Sequence, residues 1–439
     1  MSLEPTLRNI RGTFDILPQD GRGDGVHEAP SHAWQHVEQV VREVLERFNF
    51  REIRTPILEP TELIARGVGQ LTDIVTKEMF AFQRGDTHYV LRPEVTAPVM
   101  RAYLQHRLDQ QGAIQKLYYI GPCFRAENPQ KGRYRQFHQF GVELIGTETP
   151  EADAEVIAAM MAVYEAFGLR NLRLRINTLG DAESRPRYRA ALQAYLRPLA
   201  DQLTPTSRQR LETNPLRILD TKDERERQLL EDAPRLIEFI DEKGRAHYEA
   251  VKAHLRTLGI PFEEDPYLVR GLDYYTHTTF ELESPDLGAQ SALAGGGRYD
   301  LLAVDLGHEA PVPAVGFAAG FERLFIALQA QGYAFPEAPG LDAYLVSLGE
   351  AAVCWALKQA QTLRRSGLRV DLDLKGRSMK AQMREANRQQ ARYAVIVGER
   401  ELTQGRVVVR EMQSGRQQEV PLEELTDFLQ GAVRVAPSH

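Results

Sequence analysis

Three arginines stand in largely apolar surroundings: Arg125 after Cys123-Phe124, Arg270 within Leu268-Val269-Arg270-Gly271-Leu272, and Arg323 behind Gly316-Phe317-Ala318-Ala319-Gly320-Phe321-Glu322. One such arginine is usually structural. Three, together with acids on β-strands, suit a site for a polyanion and a zwitterion, because guanidinium donors form a fixed fork that matches phosphate and carboxylate. Side chains alternate across a strand. Along Lys116 to Glu127, Leu117, Tyr119, Gly121, Cys123 and Arg125 therefore share one face, with Tyr118, Ile120 and Phe124 on the other. On the returning strand, Gln136 to Gly146, the mostly apolar face is His138, Phe140, Val142 and Leu144, which should enter a core. Phe137, Gln139, Gly141, Glu143 and Ile145 form the opposite face, so Gln139 and Glu143 project beside a small residue. A buried carboxylate is costly unless paired. Glu143 is then either half of a structural salt bridge or the floor of a pocket for a cationic or hydrogen-bonding ligand, and the pattern leaves both open.

Other segments carry chemistry of their own. Leu91-Arg92-Pro93-Glu94-Val95-Thr96 sets an acid and a hydroxyl beside a rigid proline. Leu268 to Tyr275 reads as an apolar strand with one arginine and the tyrosine pair Tyr274-Tyr275. Gly295-Gly296-Gly297-Arg298-Tyr299-Asp300 is glycine-rich but lacks the lysine and helix of a phosphate-binding P-loop. The loop Asn128 to Arg135 packs Lys131, Arg133, Arg135 and Tyr134 into eight residues. That composition fits a solvated hairpin tip, or contacts to phosphates and a base at a nucleic-acid end. No Ser–His–Asp arrangement and no paired-histidine metal motif stands out, so no metal site is expected.

These residues need elements to hold them. Residues 34–48 repeat apolar side chains every three or four positions and predict an amphipathic helix. Gly21 to Ser31, rich in Gly, Asp and Pro, reads as an exposed loop; its Arg22-Gly23-Asp24 fits an ordinary flexible loop far better than an adhesion signal. Strand, polar loop and strand follow from Lys116 to Gly146. A charged helical stretch runs from about Asp181 to Gly259, and β signals return at Tyr267–Leu282, Gln290–Ala294 and Ala314–Ala318. The order predicts a sheet-based unit, residues 1–180 and 260–335, interrupted by a helical insertion, 181–259. Gly332 to Gly340 reads as a linker. Beyond it, strand, helix, strand, basic helix and strand predict a small α/β domain over 341–439 with a largely parallel core.

Bulk properties fit an ordinary multi-domain globular chain: 439 residues, 43% apolar and 26% charged. Its two cysteines, Cys123 and Cys354, have no partner spacing, which points to a reducing compartment. The N-terminus has no signal-peptide pattern, and the most apolar helical stretch, Ala154 to Val163, is too short to span a bilayer. A cytoplasmic, membrane-free protein is expected. Net charge is −7, but residues 341–439 carry +3 and the remainder −10. Between Arg364 and Arg392 there are nine basic and three acidic residues. A local basic patch on an acidic chain suits a polyanion that docks at one place. Lys380, Arg384, Arg388 and Arg392 recur every four residues and should share one broad helix face. With Glu385 as the sole acid in that run, the row reads as unpaired charge beside a phosphate backbone, against the alternative of a solvated face.

Phe124-Arg125-Ala126-Glu127 with Gln130-Lys131-Gly132-Arg133-Tyr134-Arg135-Gln136-Phe137-His138-Gln139 resembles motif 2 of class II aminoacyl-tRNA synthetases in its histidine-specific form. Gly316 to Arg323 resembles motif 3, Thr55-Pro56-Ile57-Leu58-Glu59 resembles the dimer-forming motif 1, and Leu268 to Tyr275 resembles the histidine-specific motif. The likeness runs nearly end to end and includes Asn214-Pro215-Leu216-Arg217-Ile218-Leu219-Asp220. It implies an α+β catalytic domain with an antiparallel sheet, a helical insertion and a C-terminal α/β anticodon-binding domain. It implies L-histidine, ATP and tRNA(His) as substrates, Mg2+ accompanying ATP, and a homodimer. By the resemblance, Arg125 and Arg270 are catalytic, and Arg125, Arg323 and Glu127 bind ATP. Glu94, Thr96 and Gln139 hold the α-ammonium, and Arg270 the carboxylate. Glu143 and Tyr275 read the imidazole, with Tyr274 and Tyr299 lining the pocket. Lys131, Arg133, Arg135, Lys380, Arg384 and Arg388 touch tRNA. The sequence departs from the family pattern at Val95, Asn128, His277 and the loop Gly21 to Pro30; Val95 bears on the ammonium geometry beside Glu94.

The rival reading is a synthetase-like regulatory subunit of ATP phosphoribosyltransferase, which binds histidine without aminoacylation. Such proteins usually lack the anticodon domain and keep fewer catalytic residues, whereas Glu94, Arg125, Arg270 and Arg323 are all present here and about a hundred residues follow Gly340. A synthetase-derived RNA-binding module leaves the complete nucleotide site unexplained.

Overall fold

The computed structural model describes residues 7–18, 29–70 and 72–434. Most of the glycine-rich loop, including Arg22-Gly23-Asp24, lies outside them. The chain divides into two compact units, 1–336 and 337–439. The strands of the first are β1 (Arg51–Glu52), β2 (Leu58–Pro60), β3 (Phe80–Arg84), β4 (Thr87–Leu91), β5 (Gln115–Phe124), β6 (Gln136–Ile145), β7 (Arg173–Thr178), β8 (Glu263–Glu264), β9 (Thr276–Glu283), β10 (Ala292–Arg298) and β11 (Ala314–Gly320). Eight of them form one sheet in the order β1-β5-β6-β11-β10-β9-β7-β8. Its six inner strands run antiparallel, and the two short edge strands join in parallel. The expected antiparallel catalytic sheet is therefore present. β2, β4 and β3 make a separate small sheet.

One face of the large sheet builds the main core. Phe140, Val142 and Leu144 of β6 and Phe317 of β11 pack there against Trp34 and Val41 of helix Ser31–Arg47 and Phe321 and Phe325 of helix Phe321–Ala330. Helix Pro150–Ala166 runs through this core with buried residues around its circumference, which explains why its sequence is apolar rather than amphipathic. Among the described residues no helix is long and apolar enough to cross a membrane. The opposite face carries a smaller cluster with Leu117, Tyr119, Cys123, Tyr274, Tyr275 and Tyr299, and this is the side on which Gln139 and Glu143 project.

Helices Ser184–Leu196, Pro205–Thr213 and Glu224–Leu230 enclose a core of their own around Tyr188, Leu192, Leu211 and Ile218. The next helix, Glu242–Thr257, instead sends Tyr248, Val251 and Leu255 into the main core. One expectation fails: Leu268 to Tyr275 is not a strand, and β9 begins only at Thr276. Its backbone groups are satisfied one by one rather than by a ladder. The Asp273 amide donates to Val68 O at 3.1 Å, and Leu268 O accepts from the Asn177 amide at 3.0 Å. The apolar run reflects side chains shared between two clusters, with Tyr267 in the insertion core and Tyr274 and Tyr275 under the sheet. Buried irregular chain and buried strand look alike in composition.

The second unit contains β12 (Ala343–Leu348), β13 (Val370–Leu372), β14 (Tyr393–Gly398), β15 (Arg406–Glu411) and β16 (Gln417–Pro421), in the order β13-β12-β14-β15-β16. The first three are parallel, as expected, and β15 and β16 extend the sheet antiparallel. Helices Glu350–Arg365, Met379–Arg388 and Leu425–Arg434 cover it.

Candidate active site

Two adjoining cavities open on the sheet, with volumes of about 190 and 930 Å³. Arg125, Arg270, Arg323, Arg133 and Glu127 line both. The three arginines singled out above thus converge, and each is held by backbone or by one acid. Arg125, just past β5, donates Nε to Pro93 O at 3.0 Å, lies over the Phe137 ring and stands 3.8 Å from Glu127. Arg323 donates to Gly132 O and Ala292 O at 3.3 and 2.7 Å. Burial lowers the Arg323 pKa, and the neighbouring charges of Arg133 and Arg125 push the same way. Arg270 pairs with Glu281 of β9, which also accepts from Arg175 at 2.8 Å. Burial works against the Arg270 charge, but Glu281 more than offsets it and raises the pKa. Acids line the larger cavity too, but Arg323 faces it with backbone carbonyls as its hydrogen-bond partners, which leaves its charge available to an anion.

The smaller cavity is lined by Glu94, Thr96, Gln139, Tyr274 and Tyr275 as well. Glu94 precedes helix Thr96–Gln105 and accepts the amides of Thr96 and Ala97 at 2.8 and 3.0 Å. It therefore satisfies free N–H groups at that helix start; burial raises its pKa, opposed by those amides and by Arg125. Val95, the departure from the family pattern, is buried in the cluster under the sheet and leaves Glu94 facing the cavity. Gln139 accepts a hydrogen bond from the Cys123 thiol at 3.3 Å.

Glu143 and Tyr299 lie behind the cavity floor rather than on it. The Glu143 carboxylate accepts from the Thr96 hydroxyl at 2.7 Å and from the Tyr299 hydroxyl. Of the two readings open for this residue, the salt bridge falls away, because both its partners are hydroxyls. With no cation beside it, burial pushes its pKa up to about 8, against the two hydroxyl bonds. The glycines of the glycine-rich segment lie in strand β10, and small residues there make room. A Cβ on Gly295 would overlap the Arg270 guanidinium, and one on Gly316 would overlap the Glu143 carboxylate.

The loop between β5 and β6 splits the expected RNA contacts. Arg133 lines both cavities and donates to Glu127 at 3.0 Å. Lys131 is exposed outside them, and Arg135 turns back to Glu127 O at 3.3 Å. In the second unit the basic row is shorter than expected. Its helix ends at Arg388, and Gln390, in a left-handed conformation at φ 51°, turns the chain before Arg392. Glu385 pairs with Arg388 and, at 3.3 Å, with Arg377, so Arg388 is not unpaired charge. Lys380 and Arg384 remain exposed with no ion pair among the described residues.

Sequence reasoning passed over Tyr119, whose buried hydroxyl has no hydrogen-bond partner among the described residues and would crowd a side chain at Gly141. It also passed over Phe137 in the cavity wall, beside the Tyr134 it had singled out for a base, and Glu281 behind Arg270. Tyr119 was legible as a residue on the Arg125 face of its strand; Glu281 had no local signal.

A family model described as histidyl-tRNA synthetase matches residues 25–324, and one described as anticodon binding domain matches 342–432. The chain is 48% identical over 424 residues to a histidine–tRNA ligase of Synechococcus sp. (strain JA-3-3Ab), covering 96% of this chain and 98% of that protein. It is 49% identical over 419 residues to a histidine–tRNA ligase of Chloroherpeton thalassium, covering 94% and 95%. Among solved structures, apo S. aureus histidyl-tRNA synthetase is similar with a TM-score of 0.79 at 38% identity, covering 96% of this chain and 99% of that one.

Proposed function

The chain belongs to the histidyl-tRNA synthetase family, and from that premise we propose how its cavity carries out the ligation. Its function is that of a histidine–tRNA ligase, which uses ATP to activate histidine and transfers it to tRNA. The regulatory-subunit alternative is set aside, since near-full-length relatives are ligases and an anticodon-binding domain follows the sheet.

The observation that carries the mechanism is the convergence of Arg125, Arg270 and Arg323 on one cavity whose far wall bears Glu94, Thr96 and Gln139. Arg125, with Glu127 beside it, holds the ATP α-phosphate, and Arg323 lies against the nucleotide and reaches its outer phosphate. Arg270 holds the histidine carboxylate against the α-phosphate. Glu94, Thr96 and Gln139 receive the α-ammonium. Tyr274 and Tyr275 form the pocket wall, and Glu143, held by Tyr299 just behind the floor, is the carboxylate that reads the imidazole. A carboxylate oxygen of histidine attacks the α-phosphorus, the bond to the bridging oxygen breaks, and pyrophosphate leaves with its electron pair. A terminal tRNA hydroxyl then attacks the carbonyl, and AMP leaves. Both steps need alignment and charge stabilisation more than a nucleophilic side chain. Buried polar partners for the imidazole give selectivity, because an apolar amino acid would leave them unpaired.

Magnesium enters with ATP in this reading. Glu127, which lines the cavity beside Arg125, is the carboxylate that would meet such an ion. When bound, the ion would supply charge neutralisation on the outgoing phosphates. Lys131, Arg133 and Arg135 would meet the acceptor end of tRNA, and Lys380, Arg384 and, more weakly, Arg388 its anticodon arm. The domain division that suits this assignment is 1–180 and 260–335 for catalysis, 181–259 for the insertion and 341–439 for the anticodon. A homodimer would cover the exposed Ile57, Leu58 and Phe82, and free Cys123 and Cys354 suit a cytoplasmic protein. Charging of tRNA(His) with labelled histidine tests the reading: the ligase acylates it, whereas histidine binding without acylation would revive the regulatory-subunit alternative.

A further inference from the structure

The insertion segment Asn214 to Asp220 borders the larger cavity but not the amino-acid cavity, yet it grips the stretch on which Tyr274 and Tyr275 sit. Pro215–Ile218 forms one tight turn whose Pro215, Leu216 and Ile218 are buried, so Asn214 projects from a fixed base. The Asn214 amide donates to the Asp273 carboxylate at 3.3 Å. From the first insertion helix, one nitrogen of Arg185 donates to Asp273 O at 3.0 Å and to Tyr275 O at 2.9 Å. One guanidinium therefore pins the carbonyls on either side of Tyr274. Arg217 reaches Asp73 at 3.2 Å and stands 3.1 Å from where a Gly271 side chain would begin. On its other side, Asp273 donates its amide to Val68 O and would meet any Cβ on Gly69.

Arg270 to Tyr275 has no strand ladder to fix it. Its position rests on these individual bonds, and two of the four to Asp273 and Tyr275 come from Arg185. The charges of Asp273 and Asp305 act on that side chain, but its hydrogen bonds go to the two carbonyls. Burial pulls the Arg185 pKa down, against those charges, and the guanidinium donates two charge-assisted hydrogen bonds to the carbonyls that flank Tyr274. The rings it governs are closely fitted: Tyr274 lies 4.7 Å from Tyr275 and 5.6 Å from Tyr299 between centroids.

We infer that Arg185 and Asn214 are positioning residues for the amino-acid pocket, so that the insertion sets histidine affinity besides whatever RNA it meets. The inference rests on the reading of Tyr274 and Tyr275 as histidine-binding. A shift of the Asp273–Tyr275 backbone moves both rings while leaving the ATP contacts of Arg125 and Arg323 in place.

The test uses the full-length chain in tRNA-free pyrophosphate exchange, with active-site titration and a thermal melt of each variant. Asn214→Asp sets two carboxylates against each other and should raise the histidine KM about tenfold, with the ATP KM within about twofold. Adding Asp273→Asn returns an amide to face a carboxylate and should restore the histidine KM to within about threefold. Arg185→Lys, which keeps the charge but not the fork, should raise the histidine KM alone by about threefold or more. It decides the matter if Asn214→Asp does not fold. An unchanged histidine KM with fewer active sites, or equal rises in both KM values, would show that these residues serve only the fold and would overturn the inference. Tyr275→Phe runs alongside. If it leaves the histidine KM unchanged, the pocket assignment itself fails; if it raises the KM while Asn214→Asp and Arg185→Lys do not, only the role of the insertion falls.

Discussion

Gly295→Ala adds one methyl group under the Arg270 guanidinium and nothing else. The new Cβ would overlap that group, and even Nη1 would stand only 2.6 Å away. Ordinary carbon–nitrogen contact needs roughly 3.5 Å, so the guanidinium must lift by about an ångström. β10 cannot yield instead, because Gly295 is registered with Ala318 of β11 on one side and Glu281 of β9 on the other. Glu281 is also the partner that holds Arg270, so the displacement pulls against its own anchor. Misplacing a charge-stabilising group by about an ångström costs on the order of a hundredfold in rate, similar to losing one such donor. Pyrophosphate exchange at saturating histidine and ATP reads the loss, and a thermal melt checks that the fold survives. Arg270→Ala alone should lose at least about a hundredfold. Placing Gly295→Ala on that background should cost less than about twofold more, because the group it displaces is gone. Normal exchange by Gly295→Ala, or a full further loss in the double variant, would refute this use of Arg270.

Glu143→Gln should weaken histidine binding far more than ATP binding in isothermal titration; equal losses would reduce Glu143 to a support of the fold. Its pKa also gives a signed stability effect. Raised from an ordinary carboxylate value near 4.5 to about 8 in the folded chain, Glu143 keeps its proton when folded and loses it when unfolded. Unliganded stability attributable to it is therefore fully present below about 4.5, declines as pH rises toward about 8, and then levels off. Melts from pH 5 to 9 should accordingly show Glu143→Gln gaining relative to the parent as pH rises; parallel curves would place the carboxylate in a wetter site. Lys380→Glu with Arg384→Glu should raise the KM for tRNA and flatten its salt dependence without slowing histidine activation, and Arg388→Glu should do less because Glu385 already neutralises it. Charging that is normal at low and high salt would send the RNA to another side of this domain. For the proposed homodimer, Ile57→Arg should shift sedimentation from dimer to monomer, and an unchanged dimer would put the interface elsewhere.

Periodicity exposed the elements that bury one face. Helix Ser31–Arg47 sends Trp34, Val37, Val41 and Val44 inward at helical spacing, and β6 sends Phe140, Val142 and Leu144 inward at strand spacing. The convergence of three arginines was legible because a charge in an apolar run is costly wherever it lies. What closes the site was less legible, since it depends on distant pairs. Glu143 finds Thr96 and Tyr299, 47 and 156 residues away, and no local pattern links them. The Leu268–Tyr275 stretch was misread because apolar composition cannot separate a strand from a buried loop whose carbonyls are taken by Arg185 and Asn177. The basic row of the second unit is different. The three-residue spacing of Glu385 and Arg388 announces an ion pair on a helix, and the row looked unpaired only because charges were counted without that spacing.

Histidine-dependent exchange of pyrophosphate into ATP, without tRNA and with each of the twenty amino acids in turn, addresses the central claim that this cavity joins a histidine carboxylate to an ATP α-phosphate. Histidine alone should drive rapid exchange, and both Arg270→Ala and Arg125→Ala should abolish most of it while the chain stays folded. Exchange driven equally by other amino acids, or undiminished in both arginine variants, would contradict the account.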